Sequence, residues 1–370
     1  MAYFQTEALS VGYHGKTLIH DIDFALEKGK ILTLIGPNGA GKSTILKSLT
    51  RHLQKISGNV YVQGEEVYRW SPRSRATHLA VVLTDRIAPE LMTCRELVAM
   101  GRYPHTNAIG RLTPRDEEKV NEALALVDAL ELAERDFTTL SDGQRQRILL
   151  ARAICQDTEV IVLDEPTAYL DIRYKVEFLE ILRRLAREKG VTILLSLHEI
   201  DLASKFSDVL MCVKGDTISQ IGAPEEVLRG DAANRLYDMQ RGSYNPALGS
   251  VELSRPEGAP RVFVLGGGGW GIPVYRQLQR RQIPFCTGIL FENDVDFAVG
   301  GSLAAQVISA PAFEPIPQQT LDCAWERVRE IGTLLHSGCP IGSLNSSLAV
   351  LLDRAAGAGL PILHSVQDLP

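Results

Sequence analysis

The apolar positions of this chain change period several times, and each change marks an element. Short, mainly apolar runs at 31–35, 79–83, 159–163, 191–196 and 208–213 read as strands of a sheet covered by helices. Helical patterns alternate with them, as expected of a mainly parallel sheet covered by helices. The early segments 2–9 and 17–27, with 59–63, read as a β-rich antiparallel subdomain. Between about 88 and 135 the pattern turns helical. There Val120, Ala123, Leu124, Val127 and Leu130 share one face and are expected in a core.

Residues 242–260 are rich in turn formers and break the periodicity, so a linker is expected there. It would separate a domain at 1–241 from one at 261–370. Composition shifts at the same place: residues 254–370 contain no lysine, and their eight cations are all arginine. The second domain begins with a strand at 261–265, a helix at 272–281 and a strand at 285–290. Further elements are expected at 303–310, helices at 321–336 and 345–357, and a strand at 360–364. The expected class is α/β throughout, the second part a small Rossmann-like module.

The 370 residues, 45% hydrophobic and 23% charged, suffice for two domains with ordinary cores. A formal charge of −6 argues against a polyanion-binding surface, so no nucleic acid partner is expected. The six cysteines form no C-x-x-C pair and read as reduced residues of a cytosolic protein. No signal peptide is visible, and no apolar run approaches the ~18–20 residues that cross a bilayer. Work at a membrane would therefore require another chain to hold this one there.

Candidate chemistry begins after the strand at 31–35. Gly36, Pro37, Asn38, Gly39, Ala40, Gly41, Lys42, Ser43 and Thr44 form a complete phosphate-binding loop, followed by a helix-forming run. Its glycines let successive N–H groups point at phosphate oxygens, and the helix adds its positive end. Lys42 would reach the β- and γ-phosphates, and Ser43 would ligate Mg²⁺. A second acid and a water-orienting group are needed, and Asp164 and Glu165 follow the strand at 159–163. Asp164 would hold Mg²⁺ through water and Glu165 would act as general base. Between these motifs, Leu140-Ser-Asp-Gly-Gln144 opens a helix, where Ser141 is an N-cap and a second anion site is possible.

With these motifs in this order, residues 1–240 resemble the ATP-binding-cassette (ABC) ATPases. The resemblance implies a RecA-like parallel core with antiparallel and helical subdomains. It matches Ser141, Asp142, Gly143 and Gln144 to the signature and Ala168-Tyr-Leu-Asp171 to the D-loop. It also matches His198 to the switch histidine and Tyr13 to an adenine-stacking aromatic. In that family two copies dimerise head to tail, so ATP lies between the loop of one and the signature of the other. Asp171 and the signature are thus expected to contact nucleotide in trans.

Two positions depart from the family pattern. Asp142 replaces the first signature glycine and brings a negative charge toward the triphosphate. Asp85 stands where the Q-loop glutamine is usual; it can still ligate Mg²⁺ but, ionised, donates no hydrogen bond. Glu96 to His105 and Leu170-Asp-Ile look most like importer ATPases for iron-siderophores, haem and cobalamin. That subgroup implies permease partners, an indirectly linked substrate-binding protein, and a peripheral place on the cytoplasmic face of the inner (plasma) membrane. Soluble cassettes acting on DNA or ribosomes form an alternative, as does a cassette that regulates a nucleotide-binding C-terminal module.

In the second domain Gly266, Gly268 and Gly271 satisfy G-x-G-x-x-G, and Glu292 or Asp294 lies where a ribose-binding acid would. A tight strand-to-helix turn with close packing explains the same glycines. Arg276, Arg280 and Arg281 read as a solvated face, and His336 and His364 point to no metal. The expected role is regulatory or dimer-stabilising, with a small anionic ligand as the candidate signal.

Overall fold

The apolar runs become strands of two separate sheet systems in the computed structural model, which describes residues 2–83, 91–107, 110–246 and 248–369. The chain divides into two units, Met1–Tyr237 and Asp238–Pro370. In the first, β1 (Phe4–Tyr13) and β2 (Lys16–Leu26) pair antiparallel, and β3 (Ile31–Ile35) leads to α1 (Lys42–Leu49). Then β4 (Ser57–Val62) and β5 (Glu65–Glu66) return to β1, giving an antiparallel sheet in the order β2-β1-β4-β5.

After α2 (Pro72–His78) and β6 (Leu79–Val82), the chain runs through α3 (Cys94–Ala99), α4 (Pro114–Leu126) and α5 (Asp142–Cys155), which pack on one another. It continues as β7 (Val160–Leu163), α6 (Ile172–Lys189), β8 (Thr192–Ser196), α7 (Ile200–Phe206), β9 (Val209–Lys214) and β10 (Thr217–Gly222). Two short helices, α8 (Pro224–Val227) and α9 (Ala232–Leu236), follow. The second sheet has the order β10-β9-β3-β8-β7-β6, parallel except for β10. Every residue of β3, β7 and β8 is buried, which is why these strands read as mainly apolar runs without alternation.

Val120, Ala123, Leu124 and Val127 are buried as expected, but Leu130 is 50% exposed. The helix stops at Leu126, so Leu130 falls off its face. In the same helical region Arg102 and Asp116 form a buried ion pair. Arg102 Nε donates to Asp116 Oδ1 at 2.8 Å, and Nη1 donates to the Cys155 carbonyl at 2.8 Å. Thr113 donates to Asp116 Oδ2 through both N–H (2.9 Å) and Oγ1 (2.7 Å).

These Thr113 bonds, with Arg102 adding to them, pull the Asp116 carboxyl down to about 2. A depressed carboxyl stabilises the fold above its unfolded pKa, and this contribution fades as pH falls through the folded value. We therefore predict that the tie of α4 to residues 102 and 155 weakens between pH ~4 and ~2. In circular-dichroism acid titrations, Asp116→Asn should flatten that part of the wild-type profile.

The second unit opens with a hairpin, β11 (Ser243–Asn245) and β12 (Ser250–Glu252), inside the stretch expected as linker. It is followed by β13 (Val262–Leu265), α10 (Gly271–Arg280), β14 (Phe285–Phe291), α11 (Val295–Leu303) and β15 (Gln306–Ala310). Last come α12 (Gln318–Ile331), β16 (Leu334–His336), α13 (Ser347–Gly357) and β17 (Ile362–Leu363). The parallel sheet has the order β15-β14-β13-β16-β17, the Rossmann-like pattern expected.

The hairpin belongs to this unit because its polar groups are used there. Buried Glu252 pairs with Arg276, and Asn245 donates to the Ala298 carbonyl at 3.0 Å. Arg276 is thus no merely solvated cation, and Arg281 donates to the Val366 carbonyl. The helix expected to run to residue 336 ends at Gly332, at φ 77°, and Leu334–His336 enter the sheet instead.

Candidate functional site

The parallel neighbours β3, β8 and β7 end side by side, and the residues after each strand meet at that carboxyl edge. The loop after β3 depends on glycine. Gly36 lies so close to β9 that a Cβ would stand 2.2 Å from the Val213 carbonyl oxygen. Gly41, at φ 96°, caps α1 where a Cβ would meet Ile19 Cδ1 at 2.6 Å. Lys42 is buried and folds back on the loop, Nζ donating to the carbonyls of Gly36 (2.8 Å) and Pro37 (3.0 Å). Burial pushes its pKa down, opposed by the nearby carboxylates of Glu165 and Asp164.

Asp164 is the centre of the cluster. Its Oδ1 accepts from Ser43 Oγ at 2.9 Å and from Ser196 Oγ at 2.8 Å. The Ser196 oxygen in turn accepts the Glu165 N–H at 2.8 Å, so one hydroxyl ties both acids to the end of β8. Glu165 sits at φ 48°, a left-handed conformation uncommon outside glycine. Its Oε1 lies 2.8 Å from His198 Nε2. The oxygens of Ser43 and Asp164 converge as hard donors of the kind that suit Mg²⁺, so the residues present fit that ion. Ser196 was not among the expected site residues. Its signal was its place at the end of an apolar strand, two positions before His198.

Tyr13 is 46% exposed, and its hydroxyl lies 3.1 Å from Thr44 Oγ1, which leaves ring surface beside the loop. Asn38 and Gly39 are exposed at the loop tip, and Ala40 is half-buried. The signature and D-loop residues make local hydrogen bonds. Ser141 N-caps α5 in a capping box with Gln144, and Asp171 N-caps α6 by accepting the Tyr174 N–H at 3.1 Å. Gly143 lets α5 approach the Tyr174 ring, which a Cβ would meet at 3.3 Å. Asp142 is exposed, with Arg145 Nη1 3.5 Å from its Oδ1. Asp85, expected as a further metal ligand, lies outside the described residues.

The glycine loop of the second unit is bonded differently from a dinucleotide fingerprint. There, loop amides and the helix N-terminus face a pyrophosphate. Here Gly267, Gly271 and Ile272 N–H donate to the Asp296 carboxylate at 2.6, 2.8 and 3.1 Å, and Gly268 N–H donates to Asp294 Oδ2 at 2.8 Å. Asp296 is fully buried. Gly266 and Gly271 make room for Tyr275, whose hydroxyl would be 2.3 and 2.4 Å from a Cβ at those positions. The anion on this loop is therefore the chain's own. Asp294, considered for a ribose, instead caps α11.

Fold and site together define a P-loop nucleotide-hydrolysing cassette. A family model for ABC transporters matches residues 19–168. The uncharacterized ABC transporter ATP-binding protein MJ0873 of Methanocaldococcus jannaschii is 40% identical over 287 residues, 77% of this chain and 99% of the relative. The chain belongs to the ABC transporter ATP-binding family and is an ATPase of that family.

The Bacillus subtilis iron(3+)-hydroxamate import ATP-binding protein FhuC is 39% identical over 239 residues, 65% of this chain and 89% of the relative. The Halobacterium salinarum cobalamin import ATP-binding protein BtuD is 33% identical over 319 residues, 84% and 80% of the two chains. A solved inward-facing transporter described as metal-chelate type superposes with TM-score 0.57 at 28% identity, covering 64% of this chain and 89% of that one. Residues 285–368 match the MJ0874 family. Among the described residues no helix is long and apolar enough to cross a membrane.

Proposed function

We propose that this chain is the ATP-hydrolysing subunit of an importer that takes up a metal chelate (cobalamin, haem or an iron-siderophore) through a partner permease. The observation that supports it most is the convergence of Lys42, Ser43, Asp164, Glu165 and His198 at one sheet edge. The names of the relatives supply the cargo class. Lys42 and the loop amides bind the triphosphate, and Tyr13 stacks on the adenine. Ser43 and Asp164, with Asp85, would hold Mg²⁺, which when bound neutralises charge on the phosphate oxygens.

Glu165 takes a proton from water as the water oxygen bonds to the γ-phosphorus and the bond to the ADP oxygen breaks. His198 holds the Glu165 carboxylate in place for that transfer. Two copies act together, each presenting Ser141, Asp142, Gly143, Gln144 and Asp171 to the other's nucleotide. Residues 1–237 form the nucleotide-binding part, four residues short of the boundary expected at 241, and the remainder is an accessory, regulatory part. Co-purification tests the reading. The full chain should be recovered from membranes with a multi-span permease, and recovery with ribosomes or DNA instead would refute it.

A further inference from the structure

One hydrogen bond reaches the phosphate loop from far along the chain. The Gly36 N–H donates to the Tyr237 hydroxyl oxygen at 3.1 Å, across 201 positions of sequence. Tyr237 caps the C-terminal end of α9 and is the last residue of the first unit. Gly36 therefore has both backbone groups engaged: its N–H on Tyr237 and its carbonyl on Lys42 Nζ. On its remaining side it is pressed against the Val213 carbonyl. Burial pushes the Tyr237 hydroxyl up to about 12, against the opposing effect of the Gly36 amide, so at neutral pH it is an uncharged phenol.

Glycine is the residue at which a chain rotates most freely, and this one must hold a single conformation to aim a carbonyl at Lys42. No side chain of its own can lock it. We propose that Tyr237 is a positioning residue of the ATP site: its hydroxyl fixes the backbone at Gly36 and, through the Gly36 carbonyl, sets where Lys42 Nζ stands. The bond that the Tyr237 hydroxyl makes is to the backbone of the loop. Its effect falls on how well the loop is preorganised to receive ATP, a binding effect rather than a chemical one.

The test uses the full chain carrying Tyr237→Phe, which removes the acceptor oxygen and keeps the ring. Steady-state hydrolysis and direct binding of a fluorescent ATP analogue are both measured. The loss of one hydrogen bond should raise KM and Kd about 3- to 10-fold, with a smaller change in kcat. A purely structural role would lower the active fraction, and so kcat, without moving KM. Leu236→Ala serves as the comparison, because it removes buried packing from the same helix end but no hydroxyl. The proposal is overturned if Tyr237→Phe leaves KM and Kd at wild-type values, or if Leu236→Ala raises them equally. Because binding is read separately from turnover, a failure of the ATPase reading is distinguishable from a failure of this one.

Discussion

Replacing Glu165 by Gln is expected to lower ATP turnover by about 10²- to 10⁴-fold while MgATP binding persists, the range ordinary for losing a positioned general base. Gln preserves size and keeps an oxygen that can accept from His198 Nε2, now 2.8 Å from Glu165 Oε1. It also leaves the backbone bond from residue 165 to Ser196 intact. What disappears is the capacity to take a proton from water. Single-turnover hydrolysis and equilibrium binding, measured on the same preparation, separate the two effects. A variant that still turned over within tenfold of wild type would show that another group removes the proton. His198→Ala should lower turnover as well, by freeing the carboxylate rather than removing it.

The parts of this site that could be read from sequence are those written in consecutive residues. The loop at 36–44 carries its glycines, lysine and serine in one stretch, and Asp164-Glu165 follows a strand directly. A parallel sheet then brings them together, because neighbouring strands end at the same edge. Ser196 and Tyr237 were not readable in that way. Ser196 lies 32 positions from Asp164, and Tyr237 lies 201 from Gly36. Neither contact leaves a local spacing rule behind it.

The misreadings in the second unit have the same origin. Turn-forming residues at 242–260 suggested a linker, yet Glu252 is buried against Arg276, a partner 24 residues away. Apolar periodicity carries the expected helix on into Leu334–His336, and only the left-handed Gly332 and Thr333 separate helix from strand. The alternation of strands and helices of a Rossmann-like unit was legible from the apolar pattern, but α11 and the order of the strands in the sheet were not. The occupant of its glycine loop was not, because Asp296 comes from the start of the next helix.

Asp296→Ala is accordingly expected to open the second unit locally. The substitution leaves the amides of Gly267, Gly271 and Ile272 without their acceptor in a buried site. An unsatisfied buried amide costs roughly 1–3 kcal/mol, which falls in full on Gly271 and in part on the half-buried Gly267 and Ile272, so the loss of the shared acceptor amounts to about 2–4 kcal/mol. Water entering the cavity offsets part of this, but it restores neither the charge nor the geometry facing the α10 N-terminus. Asp296→Asn keeps one acceptor oxygen and places an NH₂ group toward amide donors, so its effect should be intermediate. Hydrogen exchange resolves the prediction by region. In the full chain, Asp296→Ala should accelerate exchange across 262–280, with the peptide covering 31–46 as internal reference. The same experiment tests whether the carboxylate closes the loop to nucleotides. Wild-type protein should show no added protection of 266–272 from a nicotinamide dinucleotide, because the amides that would hold a pyrophosphate are already bonded. Protection there would mean that the ligand displaces Asp296, and the closed-loop reading would fall.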